Sequence, residues 1–156
     1  MKRIRIGIFV GLFVLPITSF SQITNPQPVK PKLEAVAETH LLMEGLLQSN
    51  FKGLSRILKD KPTDVEAWTF ARGQVLIIAE TGNLLMLRPP RNTGSEAWMQ
   101  RATELRESAS RTARNLAARD YQRSRAGVVE MANICNRCHQ TFRVKTEVVP
   151  FGDGIE

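Results

Sequence analysis

Cysteine and histidine are scarce in this 156-residue sequence, which contains two of each. Cys135 and Cys138 lie beside His139, and His40 is the other histidine. A closed structural zinc site needs four ligands, and the sequence has no second cysteine pair to complete one. A thioredoxin-like redox disulfide sits in a βαβ context, but no strand pattern of useful length is visible. The cysteine pair therefore needs a different explanation.

Several functional signatures are also missing. No Ser/His/Asp set or pair of carboxylates forms a recognisable catalytic pattern, so we do not expect an enzyme. The arginines are not interleaved with aromatic residues, which make up 6% of the chain, and we do not expect a nucleic-acid partner. Beyond residue 21 no segment is long and apolar enough to cross a membrane. We therefore expect no stable membrane span in that part of the chain.

The one long apolar run extends from residue 6 to residue 20, behind three basic residues. Ser19 and Ser21 put small residues three and one before an expected cleavage ahead of Gln22. This arrangement predicts a secretory signal peptide at 1–21. An uncleaved anchor is the alternative, but the run is short for a spanning helix. The net charge of the whole sequence is +7. Residues 1–21 contribute three positive charges, so the chain after cleavage is mildly basic, with a net charge of +4.

The rest of the sequence predicts helices separated by turns. Residues 22–32 contain three prolines and are expected to form an extended lead-in. Apolar residues then recur at three- and four-residue steps. The stripe of the first helix consists of Leu33, Val36, His40, Met43, Leu47, Leu54 and Leu58, with Phe51 one turn from Leu47. The expected helices run over about 33–59, 64–87, 96–118 and 121–145, and residues 146–156 form an irregular C-terminal tail. Four helices of about six turns with short connections predict an all-α fold, an antiparallel up-down-up-down four-helix bundle over residues 33–145.

The strongest motif is Cys135-Asn136-Arg137-Cys138-His139, which is the C-x-x-C-H attachment pattern of a c-type haem. Residues three and four apart share one face of a helix, so both thiols and the imidazole point the same way. The thiols can add across the two vinyl groups of one porphyrin edge. His139 is then held beneath the ring as the proximal iron ligand. The sequence therefore predicts one covalent haem c inside the helical domain.

A sixth iron ligand is expected on the first helix. In an antiparallel bundle the start of that helix lies level with His139, and His40 and Met43 both fall on its apolar stripe. Met43 is the preferred ligand, because a thioether opposite histidine raises the reduction potential and closes the iron to added ligands. His40, Met86 near the end of the second helix, and an iron with no sixth protein ligand remain the alternatives.

The nine residues Cys135–Arg143, near the C terminus of a four-helix chain, resemble class II c-type cytochromes, the cytochrome c prime family. Common class I cytochromes c carry the motif near the N terminus and the methionine near the C terminus, which is the reverse order. The resemblance extends from about Leu33 to Lys145. The position of the motif in the chain, with Phe142 and Arg143 following it, makes the resemblance specific for this class.

The resemblance implies two modes of action. Six-coordinate members use a methionine on the first helix, which Met43 matches, and carry electrons. Five-coordinate members are high-spin and bind nitric oxide or carbon monoxide. An arginine four residues after the haem histidine lies near the proximal face in the family, and Arg143 occupies that position. Phe142 and Arg143 are therefore expected at the cofactor. Class II relatives are often dimers through their first two helices, which implies a homodimer here.

We accordingly expect a periplasmic electron carrier with one haem ligated by His139 and Met43, since thioether-linked haem is attached outside the bacterial cytoplasm. A gas-binding haem protein is the alternative, and a small non-haem bundle with a structural disulfide is a third hypothesis. An acidic redox partner could be steered by a basic surface, although interspersed acidic residues favour an ordinary solvated surface. The arginines of that surface are Arg101, Arg106, Arg111, Arg114, Arg119, Arg123 and Arg125.

Overall fold

A computed structural model describes residues 32–91 and 93–152. The predicted signal peptide at 1–21, all but the last residue of the lead-in at 22–32, and the last four residues of the tail lie outside the described residues. The described part of the chain is helical and contains no strand, and residues from Leu33 onward form one unit. Among these residues, no helix combines the length and apolar character needed to cross a membrane.

Four helices follow one another along the described chain. The first, α1, has three consecutive stretches: an α-helix at Thr39–Leu42, a π-helix at Met43–Gln48 and an α-helix at Ser49–Ile57. The others are α2 at Val65–Met86, α3 at Ser95–Ala117 and α4 at Tyr121–Thr141. The prediction of an all-helical protein with four main helices is confirmed.

The first helix begins six residues later than predicted, at Thr39 rather than Leu33. Leu33 and Val36 were predicted on its apolar stripe, but they are 79% and 93% exposed. The Arg88 guanidinium Nε donates a hydrogen bond to the carbonyl of Ala37 at 3.0 Å. This bond satisfies the Ala37 carbonyl, which lies ahead of the helix. Because Leu33 and Val36 are exposed, extending the helix over residues 33–38 would bury no apolar side chains there.

The last helix also ends earlier than predicted, at Thr141 rather than near Lys145. Arg143 adopts the left-handed conformation with φ 57°. The amide of Val144 donates to the carbonyl of His139 at 2.8 Å, and that of Arg143 donates to Gln140 at 3.3 Å. These two bonds form a Schellman motif. The chain is thereby turned back toward α4 directly after the C-x-x-C-H segment.

The four helices share one apolar core. Its largest fully buried side chains include Phe51, Leu54 and Leu58 of the α1 region, which the predicted apolar stripe contained. Buried side chains of α2, α3 and α4 complete the core, and Val148 of the tail joins it. The tail therefore packs onto the helices, although it has no helix of its own.

Hydrogen bonds join the ends of different helices. Arg125, in the first turns of α4, donates to the carbonyls of Leu58 and Lys59 just beyond α1, at 2.6 and 2.8 Å. The Trp98 indole Nε1, near the start of α3, donates to the carbonyl of Leu85 near the end of α2 at 2.7 Å. Each bond satisfies a carbonyl at a helix C terminus, where no intrahelical partner exists.

The helices α3 and α4 approach each other closely at Gly127. A Cβ atom added there would collide with the Thr112 hydroxyl and lie 3.0 Å from its Cβ. Thr112 is itself buried, and its hydroxyl donates to the carbonyl of Ser108 at 2.9 Å. A small residue at position 127 is therefore required for the observed spacing of the two helices.

We expect Gly127→Ala to lower the free energy of unfolding by about 1 to 3 kcal/mol, because overpacking a filled interface forces side chains out of their preferred rotamers. Gly73→Ala in α2 is the matched control, since nothing lies within 4 Å of the added atom. That change should raise the free energy of unfolding by up to about 1 kcal/mol through helix propensity. Urea unfolding followed by circular dichroism measures both, and changes of the same sign would contradict the packing argument.

Candidate functional site

A cavity of about 490 Å³ lies between the first half of α1 and the end of α4. Pockets that bury a small ligand or cofactor typically measure about 300 to 1,000 Å³. Its walls are mostly apolar and include residues of α1, the start of α3, the C-x-x-C-H segment and the tail. The residues that line it include Met43, Trp98, Cys138, His139, Phe142, Thr146 and Val148.

A smaller cavity of about 30 Å³ adjoins the first. Met43, Leu47, Trp98, Cys138 and His139 line both cavities. The other cysteine, at position 135, lines the smaller cavity and is 6% exposed. The two cysteines therefore border neighbouring parts of one apolar region, so the edge of a flat ring could reach both sulfurs.

Both cysteines are free thiols. Burial raises the pKa of Cys135 to about 12, and the nearby Cys138 adds to the rise. Burial also raises the pKa of the Cys138 thiol, although the positive charge of Arg101 partly opposes this shift. Both sulfurs are therefore neutral thiols near pH 7, with their protons in place for addition to a carbon–carbon double bond.

The imidazole of His139 is held by a backbone carbonyl. Its Nδ1 lies 2.6 Å from the carbonyl oxygen of Thr146. A carbonyl can only accept, so Nδ1 is the donor, and in the neutral imidazole the lone pair is then on Nε2. A histidine that ligates a metal usually donates its other ring N–H to such a partner, which fixes the tautomer and the ring orientation. The contact therefore selects the tautomer that ligation through Nε2 requires.

The wall opposite this histidine comes from α1, where Met43 begins the π-helical stretch. Single turns of π-helix occur frequently at functional sites. Met43 is half-buried and lines both cavities, whereas the His40 side chain is 62% exposed and pairs with the Glu38 carboxylate at 3.2 Å. Met86 packs against the core and is not among the described residues that line either cavity.

Phe142 and Arg143, which follow the motif by three and four residues, lie in different surroundings. Phe142 lines the large cavity and contacts Trp98 edge to face, with ring centroids 5.2 Å apart. Arg143 is exposed and does not line that cavity. Of the predicted site residues, the structure therefore brings Met43, Cys138, His139 and Phe142 to the large cavity. Cys135 lies at the adjoining one, and Arg143 is outside.

Sequence reasoning missed the contribution of the tail. Asn136, between the two cysteines, donates from Nδ2 to the carbonyl of Val148 at 2.9 Å and accepts the Val148 amide at 2.8 Å. These two hydrogen bonds hold the tail where Thr146 and Val148 form part of the cavity wall. The available hint was the run of apolar residues at 148–151 in the tail.

The other variable residue of the motif, Arg137, binds α3. It lies 3.4 Å from the carboxylate of Glu104, which also pairs with Arg101 at 2.7 Å. Burial raises the pKa of Glu104, but hydrogen bonds and positive charge from Arg101 and Arg137 outweigh it and leave the pKa below the ordinary 4.5. This ion-pair cluster attaches the C-x-x-C-H segment to α3.

Glu104→Gln should lower stability at neutral pH by about 1 kcal/mol or less, as expected for partly exposed ion pairs. Because the pKa of Glu104 is lowered in the folded protein, its contribution is present above the ordinary glutamate pKa. The contribution is lost as the pH falls through the lowered value. Urea unfolding at pH 7 and pH 3 should therefore show a difference from wild type at pH 7 that is smaller at pH 3.

Glu107→Gln is the matched control, since it removes the same charge from a more exposed position on α3. An equal loss of stability at pH 7 in both variants would contradict the proposed role of the cluster.

No protein-family model, curated protein or solved structure matches the chain. Within residues 32–91 and 93–152, no group of three or more His, Cys, Asp or Glu side chains converges to hold a metal ion. A haem iron differs from such a site because the porphyrin supplies four of its ligands and the protein supplies only the axial ones.

Proposed function

We propose that this protein is a periplasmic monohaem c-type cytochrome that carries single electrons and is not an enzyme. The observation that carries the proposal is that Cys138 and His139 of the C-x-x-C-H motif line a cofactor-sized apolar cavity, with Cys135 beside it. The imidazole there is fixed by the Thr146 carbonyl so that Nε2 is free. When bound, haem c supplies one-electron exchange between ferric and ferrous iron.

The residues of this chain fit the group. Cys135 and Cys138 offer two thiols to one porphyrin edge, and His139 offers Nε2 as the proximal ligand. Met43 is the proposed distal ligand, since it is half-buried in the opposite wall. The rings of Phe142 and Trp98 supply apolar walls that exclude water from the site.

The fold of the haem-binding domain is proposed to be an up-down-up-down antiparallel bundle. Two features support it. The hydrogen bonds from Arg125 to the carbonyls after α1 join the end of α1 to the start of α4. The bond from Trp98 to Leu85 joins the end of α2 to the start of α3. Short connections favour antiparallel neighbours in such bundles.

Export by a signal peptide at 1–21 is part of the proposal and rests on the basic residues, apolar run and small residues described above. The partner class is an acidic redox protein. Four of the seven arginines on α3 and the start of α4 pair with carboxylates of this chain, which weakens steering by that surface. A homodimer is also proposed, because Phe70, Leu76 and Ile77 of α2 are exposed apolar side chains that a second copy could cover.

A visible spectrum tests the proposal after expression with haem-maturation machinery. An electron carrier with His139 and Met43 as axial ligands should give a low-spin reduced spectrum that carbon monoxide leaves unchanged. A high-spin spectrum that carbon monoxide shifts would instead support the gas-binding alternative. Absence of a Soret band would refute both haem functions and favour a non-haem bundle.

A further inference from the structure

The tail between Val144 and Phe151 is attached to α4 at three points. The Arg125 guanidinium lies 3.8 Å from the centroid of the Phe151 ring. Asn136 pairs with both backbone groups of Val148, and His139 binds the carbonyl of Thr146. Asn136 and His139 belong to the C-x-x-C-H motif. Residues of the motif therefore hold the tail against α4.

The pairing of Asn136 with Val148 resembles one rung of a β-ladder. The amide oxygen and nitrogen of one side chain satisfy the N–H and C=O of one residue, at 2.8 and 2.9 Å. A primary amide is the side chain that offers both an acceptor and a donor for such a pair. The bonded backbone is buried with Val148, where an unpaired polar group would destabilise the fold.

Fixing Val148 also fixes Thr146, because the two residues are separated by only one position in the same extended stretch. The exposed Thr146 has its carbonyl directed at His139 Nδ1, with the two atoms 2.6 Å apart. Residues 144–149 have no regular secondary structure that would hold this carbonyl in place. The Val144 amide bond to the His139 carbonyl restrains the chain two positions before Thr146. The bonds from Asn136 restrain it two positions after Thr146 and are the side-chain restraint on the partner of the histidine.

We infer that Asn136 is a positioning residue for His139. By pairing with Val148 it holds the tail so that the Thr146 carbonyl accepts the Nδ1 proton and orients the imidazole. The inference rests on the proposed function in that His139 is taken as the iron ligand. A hydrogen bond to the distant ring nitrogen increases the basicity of a ligating histidine and so favours the ferric state.

Hydrogen exchange measured by NMR on the full-length purified protein tests the inference. In wild type the amide of Val148 and the Nδ1 proton of His139 should both exchange slowly. In Asn136→Ala both should exchange at least ten-fold faster. Acceleration at Val148 is expected for any loss of its direct partner, so the linked acceleration at His139 is the diagnostic result.

A second readout is the reduction potential of the haem protein. Asn136→Ala should raise it, because His139 becomes a weaker donor to the ferric iron. Arg137→Ala is the matched control inside the same motif, since its guanidinium pairs with Glu104 on α3. That variant should leave exchange at Val148 and His139 unchanged, and removal of a nearby positive charge should lower the potential. The two variants therefore predict shifts of opposite sign.

Asn136→Asp keeps the acceptor for the Val148 amide and loses the donor to its carbonyl, so its effects should lie between wild type and Asn136→Ala. Faster exchange at Val148 alone, with His139 and the potential unchanged, would overturn the inference. Rapid exchange of the His139 proton in wild type would do so without any variant. Failure of the proposed function is distinguishable, because it would remove the visible spectrum while the exchange measurements could still be made.

Discussion

Replacing Met43 with leucine should convert the haem protein from a low-spin form that ignores carbon monoxide to a high-spin form that binds it. Leucine keeps most of the apolar volume in the wall shared by the two cavities but has no sulfur to offer the iron. The reduction potential should fall by on the order of 100 mV, since axial ligands set haem potentials over roughly 0.8 V. Absorption spectra with and without carbon monoxide, and a redox titration, measure these changes.

Met86→Leu is the matched control, because Met86 is also a half-buried methionine but packs against the core away from both cavities. It should leave the spectrum and the potential close to those of wild type. A low-spin spectrum that survives in Met43→Leu would show that another group ligates the iron. His40→Ala would then test the remaining histidine, whose side chain is exposed at the edge of the cavity.

Replacing both cysteines with alanine should abolish covalent attachment of the haem. Each single variant, Cys135→Ala or Cys138→Ala, should keep the haem through one thioether and leave one vinyl group intact. Extraction with acidified butanone separates the cases, since covalently bound haem stays with the protein and free haem leaves it. Both thiols border the same apolar region, so each should be competent for attachment.

The chain contains no other cysteine, which makes the double variant a complete test. Haem that resists extraction from the double variant would contradict the proposed attachment. Haem that leaves both single variants as readily as the double variant would show that no thioether forms unless both cysteines are present.

Periodicity and the cysteine motif predicted the parts of the protein that depend on local sequence. Apolar spacing identified Phe51, Leu54 and Leu58 as core residues because a helix of 3.6 residues per turn must place them on one face. The spacing of C-x-x-C-H predicted that Cys135, Cys138 and His139 would share one helix face, and all three line the smaller cavity. Capping by Asp120, whose carboxylate accepts the Arg123 amide at 3.0 Å, also follows from local chemistry.

The end of α4 could not be predicted in this way. Helices usually stop at a glycine or asparagine in the left-handed conformation, but here Arg143 takes that conformation at φ 57°. An arginine gives no local sign of a helix end. The turn is held by contacts of the tail with Asn136 and His139, which are properties of the folded chain.

The π-helical stretch at Met43–Gln48 is a further feature that regular helical spacing did not predict. Regular helical spacing placed His40 and Met43 on one buried stripe, whereas the structure leaves His40 exposed and Met43 half-buried. The sequence also gave no indication that Glu104 would bind the motif through Arg137 across 33 positions. Long-range pairs of this kind carry no periodic pattern, so only the structure reveals them.

Intact mass spectrometry of the exported protein, combined with an absorption spectrum of the same sample, tests whether this chain carries a covalent haem. We expect a red protein whose mass equals the polypeptide from Gln22 onward plus one haem, retained under denaturing conditions. A colourless protein with the mass of the polypeptide alone, obtained from cells that attach haem to a control cytochrome, would contradict it.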